Sequence, residues 1–240
     1  AATACKEFTH SKAYDTLDLT EIGEVCLPRS VYAPGHNLNR TYPQGDDAAE
    51  SAFRWRFRMF HRRQIDNGMV RSLFSAIMPP GPVAIHTVVV STFDREEDLC
   101  LVAASCSSLC LDWFARVSWR GDYYGNDLAQ LPVVSPALKR PAIGRILRLC
   151  CLSIHYSDLW TRMSGDWIAD DAEVWPSYQW NPEFEAPWSE LVPGEWSWWT
   201  PFRTDRARRY ALLELDVLLA LSIGMSLEEL QTIYRVYFPV

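Results

Sequence analysis

Residues 53–60 read Phe53-Arg54-Trp55-Arg56-Phe57-Arg58-Met59-Phe60, a strict alternation of apolar and basic side chains. A period of two belongs to a β-strand with one buried face, because successive side chains point to opposite sides of a sheet. The apolar residues then turn inward, and Arg54, Arg56 and Arg58 share the outer face. Arg62, Arg63 and Arg71 follow, so residues 51–72 hold six arginines against the single acid Asp66. Such a face either simply meets solvent or binds phosphate.

Working outward, Pro79-Pro80-Gly81 marks a turn, and the Val- and Ile-rich run 83–92 predicts a second strand. A buried helix is expected over 99–117, a loop over 121–126, and a short edge piece at Leu131-Pro132-Val133-Val134. Ser135-Pro136 opens a helix to about residue 153. Residues 165–201 carry seven of the eleven tryptophans among acids and prolines. No regular element tolerates that mixture, which reads as a long ordered loop laying large rings over the core. The neighbouring acids would repel phosphate, which weighs against stacking on bases. Thr204-Asp205 caps a helix to about 222, Gly224 ends it, and Ser226-x-x-Glu229 boxes the start of another over 227–237.

Residues 1–50 read as irregular, with short extended pieces near 25–27 and 31–32. The expected fold is therefore α+β: a small mixed or antiparallel sheet with flanking helices and a C-terminal helical hairpin. Three regions follow, an N-terminal segment 1–50, an α+β domain 51–200 with its Trp-rich covering loop, and the hairpin 201–240.

The net charge of −7 argues against a nucleic-acid partner only as an average. Cations gather again at Lys139, Arg140, Arg145 and Arg148, and at Arg203, Arg206, Arg208 and Arg209, while acids concentrate in 158–195 and in the first fifty residues. Phosphate responds to local potential and not to the total.

Catalytic signatures are missing. No Gly-rich loop follows a strand, and neither Gly-x-Ser-x-Gly nor His-Glu-x-x-His occurs. The seven cysteines lie mostly in apolar runs without metal-ligand spacing, which predicts reduced core residues, no metal and a cytoplasmic setting. No stretch approaches the roughly 18–20 apolar residues of a membrane span, so no membrane partner is expected. The opening Ala1-Ala2-Thr3 lacks both an initiator Met and signal-peptide character, which predicts a start inside a longer protein. A binding module is expected, rather than a self-sufficient enzyme.

Three segments carry a resemblance. Residues 62–81 run from Arg62-Arg63 through Arg71-Ser72 to Pro79-Pro80-Gly81, residues 124–133 end in Gln130-Leu131-Pro132-Val133, and residues 200–240 span both hairpin helices. Together they resemble class I N6-adenine DNA methyltransferases of type IIG restriction-modification enzymes and of BREX- and DISARM-type phage-defence systems. The S-adenosylmethionine loop and the Asn/Asp-Pro-Pro-Tyr/Phe motif of that family are both missing from these 240 residues. The resemblance thus implies the target-recognition and C-terminal part, with no cofactor in this chain and S-adenosylmethionine bound by a catalytic region or subunit. Double-stranded DNA is the implied partner, contacted by Arg54, Arg56, Arg58, Arg62, Arg63, Arg71 and Ser72. Arg71 is the candidate reader of a base edge, since it lies in the best-matched segment. The alternative is a structural docking subunit of a defence complex. Purified alone, the chain is expected to transfer no methyl group from radiolabelled S-adenosylmethionine to DNA; measurable transfer would refute that reading.

Overall fold

The computed structural model describes residues 17–26, 55–65, 71–82, 84–118, 121–169 and 181–237. Three strands, β1 Arg58–Arg62, β2 Ser75–Met78 and β3 Val88–Ser91, form an antiparallel sheet in the order β2-β1-β3. Met59 lies opposite Ile77 on one side and Ser91 on the other. Residues directly opposite share a sheet face, so Met59 and Ile77 turn together into the core against helix α1, Glu96–Cys106. The sheet is antiparallel and β3 falls within the expected run. Two details differ. The first strand starts at Arg58, because Trp55–Phe57 form a bend, while Phe53 and Arg54 lie outside the described residues. Strand β2 was not legible, because four residues are too short for a period and only pairing with β1 selects them.

The helix expected over 99–117 is two helices, α1 and α2 Leu109–Val117. Serines break it. Ser105 and Ser107 hydroxyls donate back to the carbonyls of Leu101 and Ala103, and Ser108 Oγ accepts the Leu111 N–H at 3.3 Å as a new N-cap. Among the described residues no single helix is long and apolar enough to cross a membrane. The pair α1 and α2 has the composition, but it is bent by 69° and sits in the core. Next come α3 Gly125–Leu128, a 3-10 turn Pro136–Leu138, α4 Lys139–Cys150, α5 Ser157–Met163, α6 Asp205–Ser222 and α7 Leu227–Tyr237.

The hairpin α6–α7 has its expected limits for local reasons. Gly224 adopts φ +73° and lets Met225 N–H reach Ala220 O at 2.9 Å while its own N–H reaches Leu221 O, a Schellman stop. The Glu229 carboxylate accepts from Ser226 N–H at 2.7 Å, and Ser226 Oγ accepts the Glu229 N–H in return. One apolar cluster, running from Phe57 through α1, α2 and α4 to Leu215, Leu219 and Leu230, joins the hairpin to the rest.

The cations of α4 and of the α6 entry divide: Arg140, Arg206 and Arg209 are exposed, whereas others turn inward. Arg145, Arg148 and Arg203 are buried. Arg148 donates to Thr200 O at 2.8 Å and Ala186 O at 2.6 Å, its guanidinium 3.9 Å over Phe202 and 4.6 Å over Trp188. Arg203 donates to Trp198 O, Leu19 O and Leu152 O and lies 4.0 Å over Trp198. Burial lowers Arg203 to about 10, so it stays charged at neutral pH. These arginines tie the described Trp-rich stretch 181–202 onto α4, with Trp196 Nε1 donating to Cys151 O and Trp198 Nε1 to Ile22 O. Trp175 and Trp180 lie outside the described residues, as do 31–32 and Leu27; Val25 and Cys26 are not in a strand. Replacing Arg148 with Met keeps the apolar stem and leaves two carbonyls without their donor. The variant should lose about 2–6 kcal/mol in a urea or thermal melt, at about 1–3 kcal/mol for each unsatisfied buried group.

Candidate nucleic-acid interface

The seven residues expected to contact DNA are divided by the fold. Arg54 lies outside the described residues. Arg56 keeps 52% of its side chain exposed, with Asp94 at a loose 3.9 Å. Arg58 does stand on the sheet face opposite Met59, as the alternation demands, yet that face is covered at this point and Arg58 is buried. Its Nη2 donates to Pro82 O at 2.7 Å, just past the Pro-Pro-Gly turn, and its guanidinium lies 5.4 Å from the Phe60 ring. A phosphate cannot reach it. Ser72 is likewise buried and is not a DNA contact. Arg62 is half-buried at the end of β1, beside Arg63.

Arg63 anchors the polar corner of the molecule. Its N–H binds Thr87 O at 3.0 Å and its carbonyl accepts Tyr123 N–H at 2.8 Å, which draws the 84–87 and 121–124 loops together. Its Nη1 donates to His86 Nε2 at 2.8 Å, so that ring nitrogen carries its lone pair. Asp122 lies 3.5 Å from Arg63 Nε, and the guanidinium is 5.9 Å from the half-exposed Tyr124 ring. Behind the corner His61 is buried, with Nε2 3.2 Å from Tyr123 O. Burial lowers its pKa, partly offset by that carbonyl, so it is a neutral structural ring. Sequence placed none of His86, Asp122 or Asp112 at a site, because their partners are distant in the chain. Tyr124 alone carried a signal, as the first residue of a matched segment.

Arg71 and Ser72 serve the helix break instead. Arg71 Nη1 donates to Ser107 O, the carbonyl exposed where α1 ends. Asp112 Oδ1 accepts the backbone N–H groups of Ser72 and Leu73 at 2.6 Å each, and Oδ2 takes Arg116 Nε at 2.9 Å. Asp216 of α6 accepts Leu109 N–H at 2.6 Å and the Tyr234 hydroxyl of α7. The base-reading role expected of Arg71 is not the one its contacts serve: the guanidinium is held at the end of α1, next to the charge of Asp216. The two residues that directly follow the second matched segment are tied to α1 and α6, with Val134 N–H on Ser105 Oγ and Ser135 N–H on Ser222 Oγ.

Cys100, Cys106, Cys110 and Cys151 are buried free thiols, Cys106 and Cys110 pushed up to about 12 by burial. Among the described residues no three His, Cys, Asp or Glu side chains gather as a metal site. Compared with known proteins, the chain matches no family model, no curated protein and no solved structure.

Asp216 gives this network a pH signature. Burial raises its pKa from 3.8 to about 6, against the pull of the Tyr234 hydroxyl and Arg71. Between those values the native state holds a proton that the unfolded chain has released, so this group makes stability fall as pH rises from about 4 to about 6. Asp216→Asn cannot titrate. Its stability relative to wild type should therefore rise across that window, by at most roughly 3 kcal/mol, and be flat above it. Urea midpoints for both proteins at pH 4, 5, 6 and 7 decide the matter; parallel curves would reject the assignment.

Proposed function

We propose that this chain is the DNA target-recognition and C-terminal part of a site-specific adenine-N6 DNA methylase of a restriction-modification or phage-defence system. It works in the cytoplasm beside a catalytic methyltransferase region that supplies S-adenosylmethionine. The observation that carries this reading is the convergence of the three segments that resemble such methylases. Arg71 and Ser72 from the first and Asp216 and Tyr234 from the third meet around the α1–α2 break. Leu128 and Leu131 of the second lie in the same buried apolar cluster, and Val134 and Ser135, which directly follow it, bond to Ser105 and Ser222. Segments shared in order by a family and packed on one another form a unit that can be inherited whole.

The convergence also assigns labour within the motif. Its polar residues hold the module together, and duplex contact falls to the arginines at the two ends of β1, exposed Arg56 and half-buried Arg62. Contacts of this kind go to phosphates, which fix register and are sensitive to salt. The double variant Arg56→Ala/Arg62→Ala, measured on its folded fraction, should bind labelled duplex more weakly. Its log–log salt slope should be shallower by about 0.9 for each phosphate that is no longer neutralised. Arg58→Ala should instead lower stability, because it removes a buried side chain and its hydrogen bond to Pro82 O. Unchanged affinity of the double variant, measured on folded protein, would sink the DNA reading and favour a docking subunit.

A further inference from the structure

At the far side of the hairpin lies a groove of about 720 Å³ between α2 and α7, closed at one end by the Gly224 turn. Its apolar walls are Trp113 of α2, Ile223 and Met225 of the turn, and Ile233, Val236 and Tyr237 of α7. Ser226 and Thr232 also line the trough, which is open: Val236 is 62% exposed, and outside it Leu227 and Phe114 are exposed as well. A contiguous apolar patch of this sort marks a surface meant to be covered. Helix α7 spans 11 residues, about 16 Å at 1.5 Å per residue, which suits three turns of a partner helix laid along it. Such grooves take amphipathic helices through anchors at i, i+3 or i+4, and i+7.

Charge narrows the occupant. Glu228 and Glu229 line the groove, and among the described residues no Lys, Arg or His does. Glu229 stays ionised in mild acid, since the Ser226 amide and hydroxyl hold its carboxyl below the usual range. The one cation of α7, Arg235, lies off the groove and donates to Gln231 Oε1. A second copy of this chain would set acidic rim against acidic rim, because a two-fold interface pairs a surface with itself. Nucleic acid would meet the same repulsion. We infer that the α2–α7 groove docks an amphipathic helix of another protein, apolar along one stripe and flanked by Lys or Arg. This site is separate from the strand-end cations, so the inference is independent of the nucleic-acid reading.

The test uses the full chain and two labelled peptides of about 14 residues with leucines at helical spacing, one bearing Lys at every polar position and the other Glu. Fluorescence anisotropy should show the Lys peptide binding at least about tenfold more tightly than the Glu peptide. Val236→Arg, at an exposed position that leaves the core alone, should abolish binding of the Lys peptide. Glu228→Lys should weaken the Lys peptide and strengthen the Glu peptide, whereas Glu183→Lys, the same charge change away from the groove, should leave both unaffected. Sedimentation of the chain alone should show a monomer. The inference is overturned by an absence of binding, by equal affinity for both peptides, by equal effects of Glu228→Lys and Glu183→Lys, or by self-association that Val236→Arg abolishes.

Discussion

Arg148 is buried on the central helix α4, and its guanidinium can only donate hydrogen bonds. That constraint reaches outward through the structure. A buried cation must be met by acceptors or it will not be buried at all, and the acceptors here are the carbonyls of Ala186 and Thr200 at either end of a Trp-rich stretch with almost no regular structure. Aromatic faces complete the cage, Phe202 on one side and Trp188 near the other. Arg203 and Arg208 repeat the device, donating to carbonyls at 19, 149, 152, 198 and 202. The loop therefore acquires a fixed shape with only a 3-10 turn at Trp188–Glu190, and α4 acquires a lid.

A second constraint sits where one helix becomes two. Ending α1 at Cys106 leaves carbonyls exposed, and starting α2 at Leu109 leaves amides exposed. Arg71 answers the first and the Asp216 carboxylate the second, while Asp112 binds the chain segment that brings Arg71 in. The sheet, the helix break and the hairpin are thereby linked through buried polar contacts as well as apolar ones. Such networks tolerate little, because each member left unpaired costs more than the bond was worth.

Two surfaces outside this framework differ in sign. Arg56 and the end of β1 present cations, whereas the open groove beside α7 carries carboxylates. The two lie on different elements.

Local signals were enough for the pieces whose cause is local. The hairpin limits at 205–222 and 227–237 follow from Thr204, Gly224 and the Ser226–Glu229 pair, all within four residues of what they control. The α+β class and a small sheet, mixed or antiparallel, were readable from the period of two and the Val-rich run, although β2 was not. Side choice was also local: Arg58 stands opposite Met59 because backbone geometry allows nothing else. Whether that side meets water is another matter. The turn at 79–82 folds over Arg58, Asp112 reaches the Ser72 amide from 40 residues away, and Arg145 meets Glu214 across two helices. An arginine in a sequence is a charge with a long apolar stem, equally able to hold a phosphate or a loop of carbonyls. Only the tertiary structure decides between them, because the choice depends on which distant segment arrives to supply the acceptors.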